Sequence, residues 1–351
     1  MTLIQEKPKL TQKLTQKLTL DELSPHPVML APMVGLTHFA VRRGMQFFLP
    51  EGAKVLWPTE MLNSRRIPHQ EVNETPEVNF MDHEFGLWPQ LLANEEEFIR
   101  ISVPKLESWG ARAIDINMGC PVQKALRHNY GVALMGDAAY AAEVVRTTVK
   151  YASVPVSVKL RAGLETQDFD YLVNFIRGLF LAGAAWITIH PRTAVQKRRG
   201  SADWSLLRKL KVFFESNREY YPIIGNGDVQ HHGDIARYFE EAGCARVMVG
   251  RALLAKPWLI QNVPEPDGYT QGEWYGQFLK RVLNESQTVY PYEAGRRRLR
   301  FLIVQGKPWI EYGEYLYGRV TAANSYEEIE QALDKFFSQK QKIIKESALR
   351  A

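Results

Sequence analysis

Short apolar runs alternate with amphipathic stretches along most of this chain, and that alternation is its strongest signal. The runs are VMLAPM (28–33), KVLWPTE (54–60), WPQLLA (88–93), RAIDIN (112–117), VPVSVKL (154–160), AAWITIH (184–190), PIIGN (222–226) and ARVMVG (245–250). Their near-continuous apolarity suits parallel strands covered on both faces. Between them, DAAYAAEVVRTTVKYA (137–152), DFDYLVNFIRGLFLAG (168–183) and HHGDIARYFEEAG (231–243) repeat apolar residues at helical spacing. Eight strand–helix units over about 230 residues predict an α/β fold, a (β/α)8 TIM barrel. One helix fits badly: Pro104 interrupts EEEFIRISVPKLESWG, which predicts a kink or a late start. The alternative is an open doubly wound sheet, but APMVGLTH is not the glycine-rich turn that usually follows its first strand.

After residue 262 the pattern changes. NVPEPDGYTQG reads as a linker, and SYEEIEQALDKFFSQKQKIIKE as an amphipathic helix with no further strands around it. The expected organisation is an N-terminal tail (1–25), a barrel (26–262) and a C-terminal helical domain (268–351). In the tail, a KLTQ repeat spaces Lys9, Lys13 and Lys17 four residues apart. That spacing suits either a short helix with a lysine stripe or a poorly ordered terminus.

Composition refines this picture modestly. Of 351 residues 45% are hydrophobic, enough for a sizeable core. No apolar run approaches the roughly 20 residues of a bilayer span, so no membrane association is expected, and the N-terminus lacks the apolar segment of a signal peptide. Two cysteines, Cys120 and Cys244, give no disulfide framework, which fits a cytoplasmic setting. A net charge of +5 and a pI near 9.0 lean toward a polyanionic partner.

In such barrels chemistry gathers at the C-terminal ends of the strands. The glycine turns Asn226-Gly227-Asp228 and Gly250-Arg251, after the last two strands, bare backbone N–H groups to an anion. Arg251 adds charge-assisted bonds, and the two turns together favour a phosphate site over mere tight turns. Lys159, at the end of the fifth strand, needs an anionic neighbour: either Glu60 within the protein or the negative charge near N1 of a reduced flavin. His190 either donates to a flavin carbonyl or satisfies a core hydrogen bond. Cys120 sits on a loop just past a strand end, whereas Cys244, within EEAGCARVMVG, reads as a small core residue.

The segments APMVGLTH, INMGCPVQK with GVALM after it, VSVKLRAG, IHPRTAVQKRRGSADW, IGNGDV and VMVGRALLAKPWL occur in order through the barrel. Together they resemble the tRNA-dihydrouridine synthases, and N-x-G-C-P-x-x-K carries most of the likeness. The resemblance implies an FMN enzyme, with no metal, that uses NADPH to reduce the C5=C6 bond of selected uridines in tRNA. By that likeness Pro32, Met33 and Val34 line the flavin, while Gln90, Lys159 and His190 contact its ring. Asn226, Gly227, Asp228, Gly250 and Arg251 hold the phosphate end. Asn117 and Arg161 meet the uracil edge, and Cys120 gives a proton to C5 as hydride reaches C6. A cysteine of ordinary pKa, near 8.5, is mostly thiol at neutral pH and suits that role.

The target base has to leave a folded tRNA, so binding is expected to rest on phosphates and shape. Arg65-Arg66, then Lys124 with Arg127 and His128, then Lys197, Arg198 and Arg199 follow the second, fourth and sixth strands. All three clusters fall on the mouth side of the barrel; RRRLR (296–300) adds a fourth, in the helical domain. Lys124, Arg198 and Arg199 are the expected tRNA contacts, and no obligate protein partner is expected. The chain departs from the family pattern at His38, where aspartate is usual, at Pro191 in place of glycine, and at Arg198 in place of an aromatic. Two other readings are a dihydroorotate dehydrogenase-like FMN barrel acting on a small pyrimidine and a catalytically silent tRNA-binding protein. The basic loops and helical appendage speak against the first; Cys120, Lys159 and the phosphate turns speak against the second.

Overall fold

The computed structural model describes residues 17–72, 75–79 and 86–344. All eight apolar runs fall on strands: β1 (Val28–Leu30), β2 (Leu56–Asn63), β3 (Gly86–Leu92), β4 (Ile114–Met118), β5 (Val156–Arg161), β6 (Trp186–His190), β7 (Ile223–Asn226) and β8 (Val247–Val249). They pair in parallel, each with the next from β2 to β8, and β8 returns to β1. This is the expected TIM barrel, with an additional helical region after it.

Side-chain alternation divides each strand between two environments. On β4, Ile114, Ile116 and Met118 join the apolar layer under the outer helices, while Ala113, Asp115 and Asn117 face the barrel axis. The axial positions are apolar low in the barrel, where Met29, Leu56, Trp88, Trp186 and Ile224 meet. Nearer the mouth they become polar. A short helix, α1 (Leu20–Leu23), closes the low end by placing Leu20 and Leu23 in that apolar layer. A reciprocal capping box between Thr19 and Glu22 starts it, and Arg246 fastens it through the Ser24 carbonyl and Asp21. Residues 17–25, read from the sequence as part of a tail, thus contain the floor of the barrel. Lys9 and Lys13 of the lysine repeat lie outside the described residues.

Around the barrel run α2 (Phe39–Gln46), α3 (Glu96–Ser108), α4 (Gln123–Leu126), α5 (Ala138–Tyr151), α6 (Phe169–Leu181), α7 (Trp204–Ser216) and α8 (His232–Ala242). The expected late start at Pro104 does not occur, and α3 is helical throughout. Pro104 and Arg100, whose carbonyl the proline leaves without a donor, are both exposed, so water can satisfy that group. Helix α2 starts at His38 without a side-chain cap. His38 is buried instead, edge-on to Tyr290 at 5.5 Å. Burial, Arg298 and Arg42 hold its imidazole well below the usual range and therefore neutral.

Beyond β8 come α9 (Arg251–Ala255), α10 (Gly268–Val289), α11 (Tyr292–Gly306), α12 (Gly313–Ala322) and α13 (Tyr326–Phe337). Helix α10 packs on α2, and α11 on α9. Glu60, within β2 where its register to β3 shifts, fixes α11 over the mouth: its carboxylate accepts from Arg298 Nη1 at 2.9 Å and from the Gly35 amide at 2.6 Å. Arg298 Nη2 donates to Glu77 at 2.6 Å. The reading that pairs Glu60 with Lys159 is therefore wrong, because Glu60 faces α11. The 296–300 cluster is also less available to RNA than its sequence suggests. Arg296 donates to the Thr321 carbonyl, Arg298 to Glu60 and Glu77, and Arg300 to Tyr317, whereas Arg297 is exposed.

If the floor depends on α1, Leu23→Ala removes a fully buried side chain at the barrel's closed end. Urea unfolding should then show a loss of about 2–4 kcal/mol, and a loss below about 1 kcal/mol would mean that α1 frays from the floor without consequence.

Candidate active site

The bend that aims β2 at the mouth begins with Pro58, which has no N–H for the ladder. The β2–β3 register shifts between Pro58 and Met61, and the Thr59 hydroxyl accepts the Gln90 amide at 3.2 Å. From Gln90 a ladder of side chains crosses the interior. Trp88 Nε1 donates to Ser157 Oγ at 2.9 Å, and Ser157 donates to Asp115 at 2.7 Å. The other Asp115 oxygen accepts from Gln90 Nε2 at 2.6 Å, and Gln90 Oε1 accepts from Asn117 Nδ2 at 2.7 Å. Asn117 Oδ1 then accepts the backbone N–H groups of Gly119 and Cys120, at 3.1 and 2.9 Å.

Gln90 thus links Asp115 to Asn117, and Asn117 holds the Cys120 loop. Arg161 braces the same loop from β5: Nε donates to the Gly119 carbonyl at 2.8 Å, and Nη1 to the Thr193 and Lys197 carbonyls at 3.1 and 2.9 Å. On the far side Val132 donates to the Cys120 carbonyl at 3.1 Å. Gly131 has φ +62°, and a Cβ there would lie 2.6 Å from that carbonyl, so the glycine of GVALM permits the close approach. Cys120 is partly exposed. Burial raises its pKa against the opposing pull of Val122, Arg161 and Lys159, so the thiol is protonated at neutral pH.

Beside this loop lies a cavity of about 270 Å³ lined by the segment after β1 and by residues from β5, β6, β7 and β8. Its fixed point is Asn226. Asn226 Nδ2 donates to the Met248 carbonyl at 2.7 Å, which turns Oδ1 toward Lys159 Nζ and His190 Nδ1, both at 3.0 Å. That network assigns the proton of His190 to Nδ1 and leaves Nε2 to accept from Arg192 Nη1 at 3.3 Å. Burial first, then Lys159 and Arg161, push His190 down to about 3. Burial and Arg161 bring Lys159 down to about 8, with Asp115 pulling the other way. Burial raises Asp115 to about 6 despite Gln90, Ser157 and Lys159. The buried lysine's carboxylate neighbour is Asp115 rather than Glu60.

The Asp228 carboxylate grips Arg192 at 2.7 and 2.8 Å and also accepts the Ala202 amide. It therefore anchors a cation, and its charge makes it unsuited to hold a phosphate directly. Gly227, with φ +120°, lies where a Cβ would come within 3.1 Å of His190 Cε1. Lys159, Arg161, Arg192, Arg198 and Arg251 line the cavity against the single carboxylate of Asp228. Burial, Arg198 and Arg192 lower the Arg251 guanidinium, a sign of crowded positive charge. The buried Nε of Arg192 has no hydrogen-bond partner among the described residues. An anion fits this wall.

Pro32, Met33, Lys159, His190, Asn226, Gly227, Gly250 and Arg251 therefore share one cavity with Arg161, Arg198 and Asp228. Val34 lines a separate groove toward α11, and Arg199 is exposed outside the cavity. Lys124 falls in α4, and its side chain lies outside the described residues. Sequence reasoning missed the working parts of Asp115 and Arg192. The D-I-N alternation of β4 and the strand-end position of Arg192 were their available signals. It also missed Gln305 and Trp309, which enter the cavity from beyond the barrel with no local signature. Cys244 is buried, and loss of hydration pushes its thiol up to about 12. Among the described residues no helix is long and apolar enough to cross a membrane.

Fold and site define a barrel enzyme whose mouth gathers cationic side chains beside a protonated thiol. The family model described as Dihydrouridine synthase (Dus) matches residues 29–294. A probable tRNA-dihydrouridine synthase of Rickettsia bellii is 32% identical over 243 residues, 69% of this chain and 71% of the relative. One from Aquifex aeolicus is 34% identical over 242 residues, 68% and 72% of the two chains. One from Mycobacterium tuberculosis is 27% identical over 323 residues, 88% and 82%. Among solved structures, a 2-naphthoyl-CoA reductase complex superposes with a TM-score of 0.50 at 11% identity, covering 67% of this chain and 49% of that one, a likeness of fold alone. The chain belongs to the dihydrouridine synthase family, a family of oxidoreductases.

The hydrogen bonds of His190 make one expectation direct. Since its folded pKa is depressed, His190 favours the folded state above about pH 6.5, and that contribution is lost as pH falls. In protein stripped of small molecules, ¹⁵N NMR should show a neutral Nδ1–H imidazole from pH 7.5 to pH 5. A midpoint near 6.5 would contradict the network.

Proposed function

We propose that this protein reduces the C5=C6 bond of uridines in tRNA, with FMN held in the mouth cavity and NADPH as reductant. The observation that carries the reading is the pairing of a strongly cationic cavity with a protonated Cys120 held by its own ladder, in a chain of this family. Arg251, Arg198 and the turns at Gly227 and Gly250 suit the cofactor's phosphate. Pro32 and Met33 offer apolar surface to its ring, and Lys159 and His190 offer polar contacts. A flavin held by these residues would supply the hydride chemistry that reduction at C6 of the uracil requires, with NADPH as the source of electrons.

Cys120 supplies the proton at C5, from Sγ. Its raised pKa keeps the proton in place until the base carries negative charge at C5 and O4. The thiolate left behind lies in the field of Arg161 and Lys159, which favours that charge. Asn117 and Arg161 act here by fixing the loop that bears the thiol, a positioning role in place of the uracil contacts expected from the family likeness. The barrel (26–262) carries this chemistry, and the helical region (268–351) adds tRNA-binding surface, with the exposed Lys197, Arg198 and Arg199 on the loop after β6 as the leading phosphate contacts. A tRNA substrate is consistent with a cytoplasmic location.

Purified protein supplied with FMN, NADPH and unmodified tRNA should form dihydrouridine, read by position-resolved mapping. Cys120→Ala should lower that rate by about a hundredfold or more while flavin stays bound. An undiminished rate would remove Cys120 from the proton-donor role.

Charge reversal at Lys197 and Arg199 should weaken tRNA binding and flatten its salt dependence. Each phosphate that the variant no longer neutralises should lower the slope of log K against log salt by about 0.7–0.9. An unaltered slope would put the tRNA on another face.

A further inference from the structure

The cavity has a wall that the barrel does not supply. Gln305, in the last turn of α11, and Trp309, just past it, line it together with Arg251 and Ala252 of α9, the helix on which α11 packs. Trp309 is almost wholly buried, at 3% exposure. Lys256, the residue after α9, places its ammonium 4.8 Å from the centre of the Trp309 ring. Lys256 is itself fully buried, donating to the Gln230 carbonyl at 3.2 Å and lying 3.7 Å from Glu265. Such a cation favours one placement of the indole face. The Trp309 backbone is fixed as well: its amide donates to the Gly306 carbonyl at 2.9 Å, and its carbonyl accepts from Ile344 at 2.8 Å. The indole is thus held from the barrel side by Lys256 and from the helical side by its own backbone, with an edge of the cavity between.

We propose that Trp309 and Gln305 are cofactor-retaining residues, donated by the C-terminal helices to the Arg251 end of the FMN pocket. Flavin bound there then locks those helices onto the barrel. Trp309 shields the phosphate end from water, which strengthens every charge-assisted bond made within it. Gln305 offers a neutral amide to the same end. Cofactor loading and the docking of the helical region become one equilibrium, in which each favours the other by the same factor. This rests on the reading of the cavity as an FMN site.

The test measures FMN affinity by fluorescence titration of flavin-free protein, and hydrogen exchange of residues 292–322 with and without FMN. Trp309→Ala should raise the FMN Kd by about ten- to hundredfold, and Trp309→Phe by much less. Gln305 is only partly buried, so Gln305→Glu should fold normally. Its carboxylate beside the phosphate should raise Kd about tenfold, more at low salt than at high. In the wild type, FMN should slow exchange in 292–322; in Trp309→Ala it should not. Arg251→Ala is the comparator from the barrel side. If Arg251→Ala weakens FMN while Gln305→Glu and a folded Trp309→Ala both leave Kd and exchange within twofold of wild type, the wall is structural only and the proposal fails alone. If the wild type binds no FMN, the reading of the cavity fails and takes the proposal with it.

Discussion

A single amide orders the mouth of this barrel. Asn226 is fixed through its nitrogen to the Met248 carbonyl, so its oxygen has one direction to face, and two donors meet there. One is Lys159, a cation that would otherwise have to find its partner in solvent. The other is His190, whose proton is thereby committed to Nδ1. With that settled, His190 Nε2 can receive Arg192, and Arg192 can be held by Asp228. Remove the amide and the lysine and histidine lose the acceptor they share, in a region where unpaired polar groups are costly. The cationic wall is stable because each member hands its geometry to the next.

A second network, across β3, β4 and β5, serves the thiol. It runs from Trp88 through Ser157, Asp115, Gln90 and Asn117 to the amide of Cys120. The two networks meet electrostatically where Asp115 and Lys159 face one another across β4 and β5. This arrangement gives several residues a positioning job that family likeness does not suggest. Asn117 commits its amide to the ladder, Gln90 commits one N–H and one lone pair and keeps the others, and Arg161 braces two loops. Their influence on a bound base would pass through the position of Cys120.

Much of the architecture was legible because a parallel barrel writes each strand as a compact apolar run, and all eight were visible. The bounds shifted by a few residues, since strand ends depend on neighbours that a linear pattern does not contain. The cationic wall was also legible, because Lys159, Arg198 and Arg251 occupy strand-end or loop positions where charge has few structural uses. The partners were not. Glu60 and Lys159 look like a natural pair along the chain, yet Arg298, more than two hundred residues away in sequence, takes Glu60. Likewise, no pattern near Trp309 announces that it reaches a cavity in the barrel. Contacts between distant segments decide both cases, and local spacing cannot encode them. The RRRLR segment shows the converse, a loud signal whose charges are largely committed within the fold.

The floor made by Leu20 and Leu23 leaves the mouth as the polar opening of the barrel among the described residues. Apolar side chains of those residues fill the low end, which opposes the passage of water or hydronium from that side. Under the proposed chemistry, a thiolate left at Cys120 is recharged most readily through the mouth, where the proposal also seats the tRNA. Recovery of the acid form is then ordered after departure of the product, and each catalytic cycle is separated from the next by an interval in which the mouth stands open to solvent.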